Sequence, residues 1–107
     1  MARQDNTLEK DIERKLRKMV ESHEGLCLKW VCPGWSGVPD RIVLLPGGIV
    51  MFVELKRPKG GTLSKMQEWW AGKLRKLGFH WWSAYDEGDL ETLERIILEE
   101  PLRRRLR

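Results

Sequence analysis

Asp40, Glu54 and Lys56 are the residues whose types and spacing could do chemistry. Asp40 follows Pro39 and opens onto the run Arg41 to Leu45. Pro46-Gly47-Gly48 then reads as a turn, because Pro pre-sets the first central residue and Gly accepts a positive φ at the next. The returning run, Ile49 to Val53, is apolar throughout and rich in β-branched residues, as suits a strand buried on both faces in mid-sheet. Glu54 and Lys56 close it on one face, with Leu55 pointing to the other. The hairpin brings Glu54 back beside Asp40. Two neighbouring carboxylates repel unless positive charge lies between them, and a hard divalent cation with oxygen ligands supplies it. Lys56 on that face could hold an attacking water or offset charge developing on a phosphate. The bland alternative is a salt bridge at a strand end.

Pro39-Asp40 followed by Glu54-x-Lys56 resembles the PD-(D/E)xK nuclease superfamily, which includes restriction enzymes and archaeal Holliday-junction resolvases. The fuller wording, Gly37-Val38-Pro39-Asp40-Arg41 with Glu54-Leu55-Lys56 and a later Gln67, is similar to the VRR-NUC branch, above all its small stand-alone phage and prophage members. The similarity spans about residues 8 to 85. It implies a restriction-endonuclease-like three-layer α/β sandwich and a metal-dependent DNA endonuclease. Asp40, Glu54, the Leu55 carbonyl and Glu9 would hold Mg²⁺ or Mn²⁺, and Asp40, Glu54, Lys56, Gln67 and Glu9 would form the catalytic set. Holliday junctions or other branched DNA are the expected substrate and a homodimer the expected assembly. A flap or general structure-specific nuclease, and a non-catalytic DNA-binding module on the same fold, are the alternatives.

The elements that must position these residues follow from patterning. Asn6 or Thr7 can cap a helix reaching about Ser22, with Leu8, Ile12, Leu16, Met19 and Val20 as its stripe. At 3.6 residues per turn, Glu9 falls about 50° from the stripe centre and Glu13 about 90°. Asn6-x-x-Glu9 also reads as a capping arrangement. Gly25 ends this helix, and Leu26 to Val31 reads as a strand. In the loop Pro33 to Gly37, two glycines allow movement or close approach to a ligand, and Trp35 could stack on a base or pack under the loop. Arg57 to Gly61 breaks the strand after Lys56. Ser64-x-x-Gln67 is a capping box opening a helix to about Leu77, with the stripe Leu63, Met66, Trp70, Leu74 and Leu77. Capping competes with an active-site role for Gln67. Gly78 stops that helix, Phe79 to Tyr85 reads as an aromatic-rich strand, and Asp86 opens a last helix that should end before Pro101. Its buried side is Leu90, Leu93, Ile96 and Ile97. The order implies a central mixed sheet flanked by helices, with a parallel pair across the crossover helix.

The length of 107 residues suits one domain, with a core over about 7–100 and a basic tail at 101–107. Residues 1–100 balance 16 basic against 16 acidic side chains, so the net charge of +4 comes from the tail's four arginines. Lys56 to Lys76 holds seven basic residues against Glu68 alone, which suits a polyanion such as DNA. Arg41, Arg57, Lys59, Lys65, Lys73 and Lys76 are the candidate DNA contacts. Cys27, Cys32, His23 and His80 form no recognisable zinc set. No apolar run nears the roughly 20 residues of a membrane span, and no signal-peptide core follows Met1. A soluble protein of the bacterial or phage-infected cytoplasm is expected. Among the six Trp, one member of each pair, Trp69-Trp70 and Trp81-Trp82, should lie outside the core and favour a partner surface.

Overall fold

The computed structural model describes residues 2–56 and 61–105, with side chains over 10–56 and 61–99. Its elements run α1 (Ala2–Ser22), β1 (Leu26–Lys29), β2 (Arg41–Leu45), β3 (Ile49–Leu55), α2 (Lys65–Lys76), β4 (His80–Ala84) and α3 (Glu87–Arg105). The sheet order is β1-β2-β3-β4. β1, β2 and β3 pair antiparallel as a meander, and β4 returns through α2 to lie parallel to β3. The all-apolar run Ile49 to Val53 thus occupies an interior strand, as its composition predicts.

Strand alternation divides the core into two layers. Ile49, Met51, Val53 and Leu55 of β3 join Val43, Leu45, Cys27 and Ala84 against the stripes of α1 (Ile12, Leu16, Val20) and α3 (Leu90, Leu93, Ile97). Phe52 of β3 and Trp81 of β4 face the other way, onto Ala71 and Leu74 of α2. One layer of two helices, a sheet and a third layer of one helix make the three-layer α/β sandwich.

Several boundaries depart from expectation. Helix α1 starts at Ala2, so neither Asn6 nor Thr7 stands at its N-terminus, and the capping reading of Asn6-x-x-Glu9 falls away. At its C-terminus it is Glu24 that takes the left-handed conformation (φ 63°). Gly25 serves space instead: a Cβ there would lie 2.6 Å from the Leu44 carbonyl oxygen and 2.9 Å from Val20 Cγ1. Helix α3 passes through Pro101 to Arg105, because flanking Leu, Glu and Arg are strong helix formers and offset the single lost amide. On α2, Ala71 and Leu74 are the buried residues while Leu77 is 60% exposed. The helix is rotated toward β4, so the far end of its stripe overhangs the sheet.

The tryptophan pairs split the expectation. Trp69 is exposed. Trp81 is buried and Trp82 half-buried, on opposite faces, because helices cover both sides of β4.

Candidate active site

The β2–β3 register pairs Arg41 with Val53, and continuing it by one residue sets Asp40 opposite Glu54. Directly opposed residues hold their Cβ atoms about 4.5–5.5 Å apart. Asp40 is fixed from both sides: its carbonyl accepts from the Trp30 amide at 3.0 Å, and its Oδ2 accepts from the Leu55 amide at 2.8 Å. One carboxylate is therefore fastened to the strand that bears the other.

Glu54 is buried, at 2% exposure, on the α2 face. Burying a carboxylate is costly without polar partners, and Gln67 Nε2 donates to its Oε2 at 3.1 Å. The same Gln67 accepts from the Ser64 amide through Oε1 at 2.8 Å, completing the capping box. The two readings of Gln67 left open by the sequence are met at once: one end of the amide caps the helix, and the other holds the glutamate. Lys56 continues the alternation onto the Glu54 side and is half-buried. Its amide donates to the Ala84 carbonyl at 3.0 Å, which carries the β3–β4 pairing one residue further. Ser83, the β4 residue in register with Glu54, shares this neighbourhood and escaped the sequence reading. Only the register of a non-local parallel pair could have pointed to it.

The loop before Asp40 is seated by Gly37 (φ 78°): a Cβ there would stand 2.6 Å from Met66 Cβ and 2.9 Å from the Gln67 amide nitrogen. This glycine therefore permits contact with α2 rather than with a ligand. Trp70 Nε1 donates to the Ser36 carbonyl at 2.9 Å and fastens the same loop.

Arg41 points to the opposite face. Its guanidinium pairs with Glu13 of α1 at 3.0 Å and donates to the Cys27 carbonyl at 3.4 Å, leaving its side chain 12% exposed. The C-terminal end of α1 lies near Leu44, since Val20 and the Leu44 carbonyl both meet Gly25. Glu13 lies at the level of Arg41, so the N-terminal turns of α1, including Glu9, run on toward the Asp40 end of the sheet. The side chain of Glu9, and residues Arg57 and Lys59, lie outside the described residues. Lys65, Lys73 and Lys76 are exposed on α2.

Among the described residues no three His, Cys, Asp or Glu side chains cluster as metal ligands. Burial pushes the Cys27 thiol above its ordinary value, which makes it a poor thiolate nucleophile. His23 is taken up by Glu94 at 2.8 Å.

A mixed sheet between helical layers, with an Asp and a Glu-x-Lys meeting where a central hairpin ends, defines the restriction-endonuclease-like fold. A solved structure described as a VRR_NUC domain matches with a TM-score of 0.75 at 27% identity, over 79% of this chain and 91% of that one. "Putative nuclease p44" of Acyrthosiphon pisum secondary endosymbiont phage 1 is 48% identical over 50 residues, 47% of this chain and 54% of that protein. The chain thus spans about half the length of this curated relative. No family model matches. In fold and in sequence the chain is thus similar to VRR-NUC domains and to a phage protein named as a putative nuclease.

Proposed function

We propose that the protein is a divalent-metal-dependent endonuclease that hydrolyses phosphodiester bonds in DNA, acting on Holliday junctions or other branched DNA. The observation that carries this reading is the 2.8 Å bond from the Leu55 amide to Asp40 Oδ2, which holds one carboxylate beside the strand bearing Glu54 and Lys56. Asp40, Glu54 and the Leu55 carbonyl offer oxygen donors only, a set suited to Mg²⁺ or Mn²⁺ with waters completing the shell. Glu9 is the candidate to add a carboxylate from α1. Bound there, the cation would supply Lewis acidity and lower the pKa of a water. Gln67 orients the Glu54 carboxylate, and Lys56 holds the attacking water or offsets charge on the scissile phosphate. Lys65 at the start of α2, with Lys73 and Lys76 further along it, draws the polyanion to the α2 side of the sheet.

A homodimer accompanies this reading. Leu26 (56% exposed) and Leu28 (43%) lie on the β1 edge strand on the α2 side, which α2 leaves uncovered because it packs on β4. Among the described residues no helix is long and apolar enough to cross a membrane. Sedimentation showing only monomer at micromolar concentration would remove the dimer.

Asp40→Asn tests the site without disturbing the fold, since it keeps an oxygen for the Leu55 amide while removing the charge. Cleavage of a four-way junction with Mg²⁺ or Mn²⁺ should fall at least about 100-fold. Wild-type rates in the variant would sink the proposal. Binding by the wild type with no cleavage under any metal would identify a DNA-binding module, and equal cleavage of flap, nicked and linear duplexes would remove the junction preference.

A further inference from the structure

Two indole rings stand in solvent beside the site, and the core does not need them. Trp35 is 55% exposed and Trp69 46% exposed. They lie nearly parallel, 18° between planes with centroids 6.1 Å apart, one from the loop before Asp40 and one from α2. Trp70 packs edge-on to both, at 73° and 90°, and its bond to the Ser36 carbonyl fixes the loop. Gly37, pressed against Met66 and Gln67, fixes it a second time. The pair is therefore held in place in advance of any ligand.

Its surroundings are basic. On α2, Lys65 precedes Trp69 by four residues and Lys73 follows it by four, so both flank the ring on one helix face. Lys76, a further turn along, continues that face, and all three lysines are exposed. The helix's acid, Glu68, is turned about 100° away. Aromatic rings interleaved with cations along a groove form a surface that binds single-stranded nucleic acid, because every base has a π-face and every nucleotide a phosphate.

We propose that Trp35 and Trp69 form a stacking platform for an unpaired nucleobase of a DNA strand, with Lys65, Lys73 and Lys76 taking the adjoining phosphates. The assignment rests on the DNA-acting reading above and adds a reason for substrate choice. Gln67, which holds Glu54, lies on the opposite side of α2 from Trp69, so platform and site are about one helix diameter apart, roughly 10–12 Å. That separation is a matter of a few nucleotides. Bases within an intact duplex are already stacked on both sides and offer the platform no free face, so substrates with unpaired nucleotides are favoured. A second copy of the chain is a poorer occupant: in a two-fold contact the patch meets itself, and the flanking lysines would confront their own equivalents.

The test compares fluorescein-labelled oligothymidine with a blunt duplex of equal length, both in EDTA so that binding is read without cleavage. Trp69→Ala should weaken oligothymidine binding about tenfold and duplex binding less than about twofold, with Trp69→Phe between. Equal weakening on both probes, or none, overturns the platform. Should the alanine variant misfold, the wild type alone decides. A fluorescent adenine analogue set among the thymidines should be quenched on binding, and an unquenched bound probe overturns the proposal. A dimer that becomes monomeric in Trp69→Ala at unchanged ellipticity also overturns it, in favour of an interface between copies. Cleavage reads the other claim. A wild type that cuts junctions but does not discriminate through Trp69 defeats the platform alone. One that binds oligothymidine through Trp69 and cuts nothing defeats the nuclease reading alone.

Discussion

On the α1–α3 side of the sheet, Leu16, Val20, Val43, Met51, Val53 and Ile97 are all at 2% exposure or less, whereas on the α2 side Trp30, Ile42, Val50 and Trp70 are only partly covered around Phe52, Ala71, Leu74 and Trp81. The first face is closed by two helices; the second is closed by one, rotated toward β4. Glu54 and Gln67 belong to the second face. Glu54 is itself buried on this face, and the Gln67 amide that bonds it offsets part of the several kcal/mol that burying a lone carboxylate would cost. Labour is divided between the faces: the filled face supplies the stability, and the open face carries the polar and exposed groups.

The largest effect that could break this division is Leu16→Ala on the filled face. It should lower stability by about 2–5 kcal/mol, read as a shift in the urea midpoint, while cleavage per folded molecule changes less than about twofold. A large loss of activity in the folded fraction would show that the two faces are coupled. Gly37→Ala sharpens the opposite case. The new methyl meets the Met66 and Gln67 backbone at a positive φ, so stability should fall by about 1–3 kcal/mol. Cleavage should fall further than that loss explains, because the Glu54 partner is displaced; activity tracking the folded fraction alone would contradict the account. The smallest effect belongs to Arg41→Met, on the α1 side of the sheet. Its Glu13 partner is 41% exposed, so solvent screening discounts the ion pair and about 1 kcal/mol is expected. If cleavage drops by much more than stability, α1 is being positioned for the site through this pair, and Glu9 becomes the residue to test next.

Much of this was legible in the chain. The turn at Pro46-Gly47-Gly48, the interior strand at Ile49 to Val53 and the capping box at Ser64 are written in residues within a few positions of one another. The alternation that puts Asp40 and Glu54 on one face is local too, and the structure keeps it. Less legible were the ends of α1 and α3, where helix-forming neighbours carry the helix past Asn6 on one side and Pro101 on the other. Arg41, read as a DNA contact, is in the structure turned to Glu13, a partner 28 positions earlier that no local pattern reveals.

Periodicity and turn chemistry, both decided between near neighbours, are enough to specify the order of elements and to set Glu54 and Lys56 on one strand face. What they leave open is which helix covers which part of the sheet. Only folding settled that α2 leans toward β4, that Gln67 reaches Glu54 while capping its own helix, and that Trp81 is buried while Trp69 is not. The reason is that burial depends on pairing and packing between segments far apart in sequence, and a residue's own neighbours carry no record of what will lie above it.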